Sequence, residues 1–150
     1  MNKVERAVDC FREGYSCSIA VFSAYAPEFG VDEKTAARIA SAFGGGMARM
    51  GETCGAVTGA FMILGLLNNI KPGESKEEIK ERLYGHVHDF VNDFKSRNKT
   101  IKCNELLGCD LSTPEGVKTF KEKNLINTLC VKFVQDSAEI LDKMIKSQNK

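Results

Sequence analysis

Six cysteines are the residues of this 150-residue chain whose type and spacing could do chemistry: Cys10, Cys17, Cys54, Cys103, Cys109 and Cys130. Cys54 lies in "GGGMARMGETCGAVTG", Gly44 to Gly59, a stretch with six glycines around one thiol. Three readings compete for it: a phosphate-binding loop, a tight helix–helix crossing, or a cysteine site with metal or redox chemistry. Cys54 directly precedes an apolar helical run, which sets it at a helix N-terminus, where free amides and the positive dipole end favour a thiolate. Cys17 follows Ser16, an expected N-cap; Cys103 opens "CNELLG"; Cys130 falls in the first turn or so of the last expected helix. Free cysteine is also among the most buried residue types, so passive packing competes with every reactive reading.

Spacing removes several chemistries. There is no C-x-x-C, and the intervals 17 to 54, 54 to 103 and 103 to 130 fit neither a zinc knuckle or ribbon nor a local ferredoxin run. A shared thiol site would have to be assembled by folding. The absence of C-x-x-C-H leaves no haem attachment point. Gly46 and Gly51 copy the glycine spacing of a Walker A loop, but Glu52 stands where phosphate charge requires lysine, and no nucleotide is expected. Gly44-x-Gly46 lacks the third glycine of a dinucleotide fingerprint, that position being Arg49. Arg49 and Glu52 flank the thiol and are read as an exposed loop salt bridge. His86 and His88, two apart on a helix, point about 200° apart and cannot share one ion. No acid/base pair or Ser-His-Asp set emerges from spacing.

The elements that must position the thiols read as helices. "NKVERAVDCFREG" sets Val4, Ala7, Val8 and Phe11 on one face and stops at Gly14. From Ser16, Ile19, Phe22, Ser23 and Ala26 make a second buried face, ended by Pro27 and Gly30. A third helix from Asp32 turns Ala36, Ile39, Ala40 and Phe43 inward, and a fourth begins near Cys54. Ile79, Leu83, Val87, Phe90 and Phe94 mark a long surface helix between Ser75 and Arg97, and the last runs from Asn127 to about Ser147. Without any sustained alternating strand, the expectation is an all-α, single-domain bundle of about six to seven helices over residues 1–150, with the glycine-rich loop leading into a central apolar helix.

Composition bounds the setting. With 21 Lys and Arg against 20 Asp and Glu, the net charge of +1 provides no field for nucleic acid, and "KSRNKTIK" has no aromatic residue to stack on a base. The apolar core of "TCGAVTGAFMILGLLNNI" is too short for a membrane span, and the N-terminus carries no export signal. The expected location is cytoplasmic, where thiols stay reduced and a secretory disulfide framework is excluded.

Taken together, "GGGMARMGETCGAVTGA", the preceding Cys17, "CNELLGCDL" at Cys103 and the late Cys130 resemble the redox-active family named for its C, GCAxxG, C, C signature. The core motif, commonly written CGAxxG, is complete at Cys54-Gly55-Ala56-Val57-Thr58-Gly59, and the resemblance spans roughly residues 10 to 135. It implies a small all-helical redox-active or metal-binding protein in which Cys17, Cys54, Cys103 and Cys130 are the functional four, Cys10 and Cys109 being extras. Three mechanisms stay open for them. An iron–sulfur cluster or other metal on the four thiolates would carry electrons, a dithiol pair would exchange disulfides, and a structural zinc would be redox-silent. Metal binding is weighted slightly ahead of exchange. In an exchange centre Cys54 would be the nucleophile of a catalytic pair with Cys17. The activity class is an oxidoreductase or electron carrier working with a redox partner protein, alone or as a homodimer. The contrasting class is an interaction protein with packed cysteines, in which Met47, Met50 and Met62 are adaptable filler.

Overall fold

The computed structural model describes Met1–Asn149. Helices α1 (Lys3–Arg12), α2 (Cys17–Tyr25) and α3 (Glu33–Ala40) precede a short glycine turn, α4 (Gly44–Met47). They are followed by α5 (Gly55–Leu67), α6 (Lys76–Asn98), α7 (Cys103–Leu107), α8 (Pro114–Glu122) and α9 (Val131–Gln148). Three-residue and four-residue 3-10 turns close α3 and α2, and a π turn over Ile126–Cys130 leads into α9. The fold is all-α; among the described residues the only strand-like pairing is one antiparallel bridge, Thr53 to Lys102. No described helix is long and apolar enough to cross a membrane.

Local chemistry starts most of these helices where expected. Asn2 and Glu5 form a reciprocal capping box on α1, and the side chains of Ser16, Asp32, Ser75 and Thr113 accept amides in the first turns of α2, α3, α6 and α8. The sequence reading did not single out α8, although Thr113 before Pro114 is the expected signal of a cap followed by proline at the first helical position.

The centre is the pair α2 and α5, both strongly apolar, with only Gly65 and Leu66 of α5 exposed. Ser18 and Ala20 through Tyr25 are all buried, so α2 is sunk on nearly every side, beyond the single face its spacing implied. Gly59 makes their crossing close: a side-chain carbon added there would lie 2.9 Å from the Ser18 carbonyl oxygen and 3.2 Å from Val21 Cβ. Buried hydroxyls tie the flanking helices to this pair. Ser18 donates to the Ala40 carbonyl at 2.8 Å, Tyr25 to Ala138 at 2.9 Å, and Ser137 to Ala56 at 2.7 Å. Each satisfies a polar group that burial would otherwise penalise. An aromatic run, Phe61, Phe90, Phe94 and Phe133, with ring centres 6.2–6.3 Å apart, joins α5, α6 and α9.

Two expected faces change. Ile39, placed inward by spacing, is 48% exposed, because α3 needs only the small Ala36 and Ala40 to approach α2. On α6 only Phe90 and Phe94 are fully covered; Leu83 and Val87 pack against the core half-buried. We expect Gly59→Ala to destabilise the protein by about 1–3 kcal/mol despite alanine's better helix propensity, because the added carbon meets backbone. A lowered urea midpoint with unchanged denaturant slope would show it; an unchanged or raised midpoint would contradict the packing argument.

Candidate functional site

Cys54 and Cys103, 49 positions apart, are clipped together by backbone. The Cys54 amide donates to the Ile101 carbonyl at 2.8 Å, the Cys103 amide to Glu52 at 2.6 Å, and the Asn104 amide to Gly51 at 3.2 Å. Cys54 is the residue before α5 and Cys103 the first of α7, so this short extended pairing sets two helix starts side by side. Cys17 opens α2 behind its Ser16 cap. All three meet at a cavity of about 510 Å³, whose wall also takes Cys130. Cys10 and Cys109 are not on that wall; Cys10 instead faces the Ser23 hydroxyl at 4.0 Å.

Two glycines make room for sulfur. A carbon added at Gly55 would lie 2.5 Å from Cys17 Sγ, and one at Gly46 would lie 2.6 Å from Cys103 Cβ. The glycine stretch thus makes a close helix crossing and leaves room for the side chains of Cys17 and Cys103.

Between those glycines the chain does something composition does not announce. Gly45, Gly46, Met47, Ala48 and Arg49 all have positive φ, between 52° and 68°, forming a left-handed turn of five residues. For the three L-residues with a Cβ this costs about 1–2 kcal/mol each. Amide donation from Gly51 to Gly45 at 3.3 Å and from Glu52 to Gly46 at 3.0 Å holds the turn. Its result is that the Gly45 amide sits where it lowers the Cys17 thiol and the Arg49 stem lies across Gly45. Neither Arg49 nor Glu52 forms an ion pair among the described residues, so the expected loop salt bridge is absent from them.

The electrostatics separate the four thiols. Cys17 is lowered to about 7, foremost because the Cys54 thiol donates a hydrogen bond to it; burial opposes this, and the Gly45, Ser18 and Cys17 amides reinforce it. Cys54 is pushed well above the usual thiol range, first by that same bond and then by burial. Burial raises Cys103 and Cys130 to about 12, and the negative Cys17 adds to both shifts. The expectation that helix-start placement leaves Cys54 the favoured thiolate meets opposing burial: Cys54 is only 5% exposed and raised, whereas Cys17 is partly accessible and lowered. Helix-end placement lowers a thiol only where burial does not outweigh it. Cys130 does not stand at a free helix end at all, because it closes the π turn and continues into α9.

Four thiols are a soft donor set suited to iron–sulfur clusters or zinc. Among the described residues, however, no three His, Cys, Asp or Glu side chains converge as they would around a single ion. The arrangement does not fit a closed mononuclear site. The cavity is large enough for a polynuclear group, for which Cys17, Cys54, Cys103 and Cys130 would be the ligands. His86 meets Gln148 at 3.0 Å, and neither it nor His88 lines the cavity.

Two measurements check this geometry. Iodoacetamide alkylation of Cys17 should rise with pH through about 7, since only the thiolate reacts, and Cys54→Ala should move that midpoint upward by removing the donated hydrogen bond. An unmoved midpoint would show that Cys54 does not hold the thiolate. Ala48→Gly should raise the thermal midpoint by the equivalent of about 0.5–1 kcal/mol, the relief of left-handed strain less the extra freedom of the unfolded chain. A lower midpoint would mean the turn is not strained at Ala48.

A family described as "Putative redox-active protein (C_GCAxxG_C_C)" matches residues 15–144. No curated protein and no solved structure matches the chain. The matched span takes in Cys17, Cys54, Cys103 and Cys130, leaves out Cys10, and covers well over half of the sequence. With its cavity of signature thiols and this match, the chain belongs to the C_GCAxxG_C_C family of redox-active proteins.

Proposed function

We propose that the protein is a thiol/disulfide oxidoreductase in which Cys17 and Cys54 are the exchanging pair. The observation that carries this reading is the closeness of the two cysteines on the wall of an open cavity: a carbon added at Gly55, the neighbour of Cys54, would lie 2.5 Å from Cys17 Sγ, and Cys17 is part-exposed where Cys54 is buried. A thiol that titrates near ambient pH combines a useful thiolate fraction with good nucleophilicity. Cys17 attacks one sulfur of an organic disulfide, forming a mixed disulfide and expelling the first thiolate. Cys54 gives its proton to that leaving group, and its sulfur then attacks Cys17 sulfur and expels the second thiolate, which takes a proton from water. Two electrons pass from the protein dithiol to the substrate, and the reverse sequence restores the thiols. Gly55 leaves the space in which these sulfurs approach, and the Gly45 amide stabilises Cys17 as a thiolate whenever it attacks or leaves.

A second reading is favoured by the company Cys17 and Cys54 keep. Cys103 and Cys130 share the cavity with them, and an exchange pair has no need of two more thiols. An iron–sulfur cluster held by all four would supply one-electron transfer when bound. In that case the chain's own contribution is the Gly45 amide beside Cys17 and a mostly apolar wall.

One experiment separates them. Protein purified anaerobically is assayed for iron, zinc and acid-labile sulfide, then equilibrated in thiol/disulfide buffers, alkylated and mapped. The exchange reading expects metal-free protein with a two-electron midpoint and a Cys17–Cys54 linked peptide, lost in Cys17→Ser and Cys54→Ser and retained in Cys103→Ser. Stoichiometric iron and sulfide, with no Cys17–Cys54 link at any potential, would overturn exchange in favour of the cluster.

A further inference from the structure

The cavity carries more information than its sulfurs. Away from the thiols its wall is mostly apolar, with Phe11, Leu107, Leu111, Phe120 and Phe133 among its side chains. The charged side chains on it are Arg49 and Lys121, both cationic, and neither forms an ion pair or side-chain hydrogen bond among the described residues. This is a local bias, since the chain as a whole is almost neutral at +1. Arg49 owes its place to the left-handed turn: with no side chain on Gly45, the arginine stem crosses the glycine at the cavity wall. About 510 Å³ falls within the range of small-molecule pockets.

We propose that the cavity binds a small organic anion with an apolar body, its carboxylate or phosphate held by Arg49 and Lys121 and its body against the aromatic and leucine wall. As the identity of the exchange substrate this rests on the dithiol reading; as a binding site it does not. The substrate is then an anionic organic disulfide. Its acid group is anchored at the rim, and its S–S bond is carried inward to Cys17, which attacks as described above. Arginine's planar fork favours such headgroups, and the apolar body gains by leaving water. The cations are exposed, so the charge preference should weaken with salt.

The test has a binding arm and an exchange arm. In the binding arm, calorimetry on the Cys17→Ser variant compares 2-naphthoate, 2-naphthyl phosphate and uncharged 2-naphthalenemethanol. At least one anion should bind about tenfold more tightly than the alcohol, and Arg49→Gln or Lys121→Gln should each remove much of that advantage. The exchange arm uses the reduced native protein and compares the dianionic 5,5′-dithiobis(2-nitrobenzoate) with the dicationic cystamine, each rate divided by that disulfide's rate with a free model thiol. The dianion should be favoured, and the preference should shrink in both variants and in high salt. Equal binding of anion and alcohol, or an anion preference unchanged in both variants, would overturn the proposal. Anion binding lost in the variants, with no Cys17–Cys54 link formed by the dianion, would uphold the site while sinking the dithiol reading.

Discussion

The structure depends on how closely the start of α5 can approach the start of α2. At Gly55 the absent side chain leaves the space that Cys17 sulfur occupies, and one helical turn on, Gly59 lets α5 press against the Ser18 carbonyl and Val21. Interiors are packed too densely to absorb a misplaced carbon without displacement elsewhere. Buried hydroxyls from Ser18, Tyr25 and Ser137 then tie α3, α2, α5 and α9 into the same arrangement. The glycines of the motif act as structural absences, setting distances between sulfurs that residues with side chains could not reach.

A second constraint is electrostatic. Four thiols facing one partly dry cavity cannot all ionise, because each thiolate raises the cost of the next. Cys17 takes the charge since it has donors, namely the Cys54 thiol and the Gly45, Ser18 and Cys17 amides, whereas Cys103 and Cys130 meet mainly burial and the negative charge of Cys17. The left-handed turn is part of this arrangement. Its strain is borne by Met47, Ala48 and Arg49, and it delivers both an amide to sulfur and a guanidinium stem to the cavity wall. The redox chemistry and the anion preference we propose therefore draw on the same unusual stretch of backbone.

Much of the framework was legible because it is written in local rules. Caps at Ser16, Asp32 and Ser75, apolar spacing in α1 and α9, and the glycine stop at Gly14 all act within a turn or two, and they led to helices in the right places. Ile39 was misread because periodicity identifies an apolar side chain and not the distance at which the next helix packs; two alanines were enough for α3. The π turn at Cys130 and the left-handed residues at 47–49 left no local trace, since isolated L-residues disfavour both conformations and contacts from elsewhere must hold them.

The sequence alone determined that the chain is helical, that Cys17, Cys54 and Cys103 stand at helix starts, and that the order of glycines and cysteines marks the family. Those features follow from nearest-neighbour energetics and residue identity. Only the tertiary structure decided which thiol ionises most readily, because that depends on burial and on groups brought from distant positions, here Gly45 and Cys54 beside Cys17. It likewise decided that four of six cysteines share one cavity and that the charges beside them are Arg49 and Lys121. A pKa and a cavity are properties of the surroundings, and here those surroundings come from segments tens of residues apart.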